Sequence, residues 1–214
     1  ITEQIETMAK QNNWHIAVNE ELLEEVVFLV EYPTVLSGSF HEEFLEIPQE
    51  VLITSMREHQ RYFPVFNHSG ELLPHFVTVR NGNADYIENV RRGNEKVLRA
   101  RLSDARFFYK EDLALPIPKA LQKLEKVVYH EELGTIAEKV GRITEIAAAL
   151  AEILQASADE KAKVRRAAEI CKFDLVTQMV GEFPELQGVM GEDYARQAGE
   201  EEEVARAVFE HYLP

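Results

Sequence analysis

The densest gathering of chemically capable side chains is RRGNEKVLRARLSDARFFYK, residues 91–110. It sets Arg91, Arg92, Lys96, Arg99, Arg101, Arg106 and Lys110 against only Glu95 and Asp104. On a helix turning about 100° per residue, Arg92, Lys96, Arg99, Ser103, Arg106 and Lys110 share one narrow arc. Val97, Leu98, Leu102, Ala105, Phe108 and Tyr109 spread over much of the opposite side. Fixed cations in a row on an apolar floor can hold a line of phosphate oxygens, which makes nucleic acid the candidate partner. The same stripe fits a solvated face of a core helix whose charges offset acidic neighbours. Arg101 falls amid the apolar arc and reads as a buried or bridging partner.

Two smaller clusters follow. MREHQRYF, residues 56–63, packs His59, Arg61 and Tyr62 into a helix-to-strand junction. Base, imidazole and aromatic ring together can hold phosphate and stack on a nucleobase. The cluster reads equally well as a junction whose Tyr62 and Phe63 are split between core and surface. KFDL, residues 172–175, puts Lys172 and Asp174 beside an apolar face, the usual setting of a structural bridge.

Other chemistries find no footing. No glycine-rich phosphate loop sits between a strand and a helix pattern, and no serine elbow is present. The seven histidines make no zinc-type spacing with one another or with Cys171, the single cysteine. One cysteine excludes an internal disulfide and fits a reducing cytoplasm. A net charge of −15 over 214 residues disfavours general adhesion to nucleic acid or membrane, so any such contact must be local. No apolar run reaches the length of a membrane span, and no signal peptide is present. The chain opens in mid-helical pattern and stops soon after another helix, so it reads as a piece of something longer.

The elements that must carry these clusters form an α+β chain in two regions, 1–112 and 113–214. In the first, helices are expected near 1–12, over 20–30 up to Tyr32-Pro33, from Pro48 onward, and through the basic stretch. A strand over 34–40 is expected to break at Gly38, and paired strands at 62–66 and 73–80 to turn at Asn67–Gly70. Past Pro116 and Pro118 no convincing strand remains. Helices are expected near 119–128, 135–155, 159–180 and 200–212. The second has Ile136, Val140, Ile143, Ile146, Ala147, Leu150 and Ile153 at helical spacing; the third opens on a capping box, Ser157 with Glu160. GEFPELQGVMG, residues 181–191, reads as an ordered loop, and the acidic run 200–203 as a solvated helix start.

Several stretches in order, among them EEVVFLVEYPTVLSGSFHEEFLEIP, MREHQRYFPVF, GNEKVLRARLSDARFFYKED, LGTIAEKVGRI and KFDLVTQMVGEFPELQGVMGEDYA, resemble the middle of the β subunit of bacterial glycyl-tRNA synthetase. The resemblance runs from Glu20 to the C-terminus. It implies a tetramer of two α and two β chains in the cytoplasm. The α chain would bind glycine, ATP and magnesium at the class II active site; the β chain would mainly hold tRNA(Gly). This piece would then hold no catalytic residue, no metal and no cofactor, and would meet tRNA and the α subunit but no membrane. Region 1–112 resembles part of the editing domain of the phenylalanine enzyme's β subunit, and region 113–214 an HD-type helical domain.

An HD protein binds divalent metal through His, His-Asp and Asp, and this sequence departs from that pattern. LGTIAEKVGRI offers Lys139 where the first histidine would stand, and AAEICKFD offers Cys171-Lys172 where His-Asp would stand. Protonated lysine cannot ligate a cation. Lys139 and Lys172 would instead make an anion site. RNA is thus expected at Arg92, Lys96, Arg99, Arg106 and Lys110, at Lys139 and Lys172, and for any specific reading at His59, Arg61 and Tyr62. A working HD-type phosphohydrolase and a pure docking scaffold are the alternatives.

Overall fold

The computed structural model describes residues 1–213. They divide into two compact units, Ile1–Arg106 and Phe107–Pro214.

In the first unit, α1 (Thr2–Asn12) stops where Asn13 turns left-handed, and α2 (Glu20–Leu29) starts at Asn19, whose side chain accepts the Leu22 N–H at 2.9 Å. A two-residue strand β1 (His15–Ile16) lies between them; too short to show a period in sequence, it was not expected. β2 (Pro33–Ser39), β3 (Phe63–Phe66) and β4 (Leu72–Asn81) complete an antiparallel sheet of order β1-β3-β4-β2. At the β3–β4 turn the Asn67 side chain accepts the N–H groups of Ser69 and Glu71, both at 2.9 Å.

Gly38 does not break β2. It pairs with Phe76, and a Cβ there would lie 2.4 Å from that ring, so the glycine makes room for a core aromatic. Ile5, Ile16, Leu22, Val26, Phe63, Val65 and Val77 form one core cluster. α3 (Gln49–Gln60) begins just after Pro48, buries Val51, Leu52, Ser55 and Met56, and ends at Arg61 in the left-handed conformation. The basic stretch is a continuous helix, α4 (Ile87–Leu113).

In the second unit, α5 (Ile117–Leu124) is followed by a small hairpin, β5 (Val128–His130) and β6 (Gly134–Thr135), where no strand was expected. Its strands are fully or half exposed, so no alternation of buried residues betrays them. α6 (Ile136–Ile153) and α7 (Ala158–Ile170) each carry a complete capping box, Thr135 with Glu138 and Ser157 with Glu160.

The expected long third helix ends at Ile170. A tight turn at Phe173–Val176 follows, closed by Thr177 donating its N–H and Oγ1–H to the Asp174 carbonyl at 3.0 and 2.6 Å. Thr177 then caps α8 (Gln178–Glu182), and the segment expected as loop already enters α9 (Val189–Gln197). α10 (Glu202–Glu210) buries Val204, Ala205 and Val208. The acidic run at its start is held, not merely solvated: Glu200 takes Arg166, Glu201 and Glu203 reach Lys163, and Glu202 takes Arg196. On α6, Ile146, Leu150 and Ile153 are exposed although their spacing predicts a buried face.

Candidate nucleic-acid interface

α4 sorts its charges by helical position. Arg91, Glu95, Leu98, Leu102 and Ala105 recur at three- and four-residue steps and face inward in the first unit. The last three are fully buried; Arg91 Nε donates to the Ser37 carbonyl at 2.8 Å, and Glu95 accepts the Ser39 N–H at 3.0 Å. One position on, Arg92, Lys96 and Arg99 point outward. All three are exposed and make no ion pair among the described residues. Val97, assigned by spacing to the apolar floor, is half exposed beside them.

Arg106 belongs to the same arc but not to the same state. Its Nη1 lies 2.6 Å from Glu43 Oε2 and its guanidinium sits 6.0 Å from the centre of the Phe44 ring. Hydrogen bonding to Glu43 holds its pKa above the ordinary arginine value. Lys110 is exposed in the second unit. Arg101 is half-buried, as its place in the apolar arc implies, and donates Nη2–H to His59 Nδ1 at 2.6 Å. That contact makes Nδ1 the acceptor and leaves the neutral ring's proton on Nε2.

The 56–63 cluster is tied up locally. Arg61 pairs with Glu25 and donates to the Glu58 carbonyl. Tyr62 is buried and stacks on Phe76, centroids 4.5 Å apart and planes 12° from parallel. Burial pushes its hydroxyl up to about 12. In this conformation it has no free face for a base. Arg61, left-handed at its own backbone where α3 ends, meets Glu25 of α2, a partner 36 positions away that the sequence does not reveal.

In the second unit Lys139, Cys171, Lys172, Asp174, His211 and Tyr212 influence one another. Lys172 Nζ lies 3.6 Å over the Tyr212 ring, and Lys139 Nζ 3.9 Å over the Tyr129 ring. Burial, with the Lys139 charge acting in the same direction, lowers the Lys172 pKa. His211 is lowered by burial and then by Lys172. Burial pushes the Cys171 thiol up, so it is no ready thiolate ligand.

Lys172 and Asp174 form no bridge. Asp174 instead turns inward, accepts the Gly188 N–H on Oδ2 at 2.7 Å, and keeps Oδ1 buried with no hydrogen bond among the described residues. Burial raises its carboxyl pKa. Among the described residues no group of three or more His, Cys, Asp and Glu could hold a metal ion. No helix there is long and apolar enough to cross a membrane.

One organising residue carries no mark in the sequence. Asp112 is buried and accepts the N–H groups of Gln178 and Met179, each at 2.8 Å, and the Tyr194 hydroxyl at 3.1 Å. An aspartate late in a charged helix carries no local sign of such distant partners.

A family model described as glycyl-tRNA synthetase beta subunit matches residues 1–214. Relatives named glycine–tRNA ligase beta subunit match the whole chain: 66% identical in Bacillus subtilis (strain 168), covering 32% of that protein. Those of Halalkalibacterium halodurans and Listeria monocytogenes serotype 4a are 60% and 58% identical, each covered to 31%. The chain thus spans about a third of the length of the relatives it matches.

Proposed function

This chain belongs to the glycyl-tRNA synthetase beta-subunit family, and on that premise we propose that it is a tRNA-holding, non-catalytic section of the β subunit of a glycine–tRNA ligase. It supports the ATP-dependent attachment of glycine to tRNA(Gly) that the α subunit performs in the cytoplasmic heterotetramer. Glycine, ATP and magnesium belong to the α subunit; this section supplies positioning.

The observation that carries the reading is the outward row Arg92, Lys96 and Arg99, exposed and without ion pairs among the described residues, on a chain of net charge −15. Arg106, Arg166 and Arg196, by contrast, are committed to Glu43, Glu200 and Glu202. Charges left unspent in a row at helical spacing match successive backbone phosphates and fix register without reading bases. Lys110 is a further exposed cation. Lys139 and Lys172 offer a weaker patch, because both ammonium groups already sit on tyrosine rings. His59, Arg61 and Tyr62 would serve only if the helix-to-strand junction opened, since each is engaged inside the first unit.

Metal-dependent phosphohydrolysis is disfavoured by the donor set: where the resemblance to HD enzymes would put ligands, the chain has two lysines and a buried thiol. The test is tRNA binding by gel shift with Arg92, Lys96 and Arg99 changed to alanine. Affinity is expected to fall for all tRNAs alike, by roughly tenfold or more at moderate salt. Unchanged affinity refutes the row, and absence of binding by the unaltered chain, with the α subunit still captured, makes it a scaffold.

A further inference from the structure

We propose that the outer face of α6 is an internal docking seam of the full-length β subunit, covered by an aliphatic stripe of a helix from the part of the polypeptide outside this third. On α6 Ile146 is 60%, Leu150 51% and Ile153 75% exposed, and Leu154 at its C-terminal cap is 78% exposed. At helical spacing these four and Ala149 fall within about 140° of arc. Glu145 and Glu152 lie outside that arc, and Glu152 is spent on Lys161. Arg142, on the same arc one turn before Ile146, turns to the Leu133 carbonyl and donates to it at 3.1 Å. The face therefore offers aliphatic carbon at i, i+4, i+7 and i+8, the stripe by which one helix packs on another.

This chemistry decides among occupants. Between Ile146 and Leu154 the face presents no cation to a phosphate, so RNA gains nothing there. A second copy would bring another net charge of −15 against the first. In relatives matching the whole chain about two thirds of the polypeptide lies outside the matched part, as 31–32% of their length is covered, so a helix tethered to this one is at hand at high effective concentration. The inference rests on family membership and not on RNA contact.

The test is the double substitution Ile146→Glu with Ile153→Glu, made in the 214-residue chain and in a full-length β subunit carrying it. Melting of the 214-residue chain is expected to stay unchanged, while the full-length subunit melts at a lower temperature. As a second readout, an Ile153→Cys thiol should react with an alkylating reagent about tenfold more slowly in the full-length subunit than in the short chain. Equal melting and equal alkylation in the two contexts overturn the proposal. Protection that arises only when the α subunit is added overturns it too, as does self-association of the short chain that the double substitution abolishes.

Discussion

Arg106 and Arg99 stand seven positions apart on the same arc, and what separates them is a carboxylate. Glu43 reaches Arg106 from a different part of the chain, so one guanidinium is committed and the other is open. Replacing Arg106 with alanine should therefore weaken RNA binding less than replacing Arg99, a difference that gel-shift titrations of the two variants will read. Tyr62 makes the opposite point, since a ring that could stack on a base is stacked on Phe76. Tyr62→Ala should cost about 3–5 kcal/mol in denaturant unfolding, and Tyr62→Phe little. Spacing made the arc legible, but not which members of it find acids, because Glu43 and Glu25 come from distant segments. Asp174 carries a pH signature. Its carboxyl is raised above the usual range by burial, so the fold favours the protonated form. The associated stability is complete below the ordinary aspartate pKa and is lost as pH rises through the raised folded value. Asp174→Asn, which cannot ionise, should thus melt higher than the parent near neutral pH and converge with it in acid.

At the scale of elements, the capping box at Ser157 and Glu160 was readable because its signal lies within four residues. The end of α7 at Ile170 was not, because helical spacing continues through Cys171, Leu175 and Met179 while tertiary bonds override it. Past the turn closed by Thr177, Asp112 holds the first N–H groups of α8 and the Tyr194 hydroxyl. Asp112→Ala leaves those donors buried and should destabilise by about 3 kcal/mol, read by thermal or urea unfolding. Glycines divide by surroundings. Gly93 in α4 has no atom within 4 Å of an added Cβ, so Gly93→Ala should stabilise by about 0.5–1 kcal/mol. At Gly38 the added Cβ would meet the Phe76 ring at 2.4 Å, and Gly38→Ala should destabilise by about 1–3 kcal/mol. Opposite shifts in melting temperature check the pair.

At the scale of the molecule, acidic and basic residues are not paired evenly. Lys163, Arg166 and Arg196 meet the acids around α10, and Arg61, Arg91 and Arg106 meet acids of the first unit, whereas Arg92, Lys96 and Arg99 stay open in a row on one helix. The mixed architecture and the basic helix were legible from hydrophobic period and composition. The β5–β6 hairpin and the uncovered face of α6 were not, because exposed strands leave no pattern and a buried-looking stripe does not say what buries it. The most direct measurement is tRNA affinity of the chain across a salt series, with and without alanine at Arg92, Lys96 and Arg99. A phosphate-holding row predicts a log–log slope that grows shallower by roughly 0.7–0.9 for each phosphate no longer neutralised, together with weaker binding at every salt concentration. Parallel lines of equal affinity for the two proteins would contradict it.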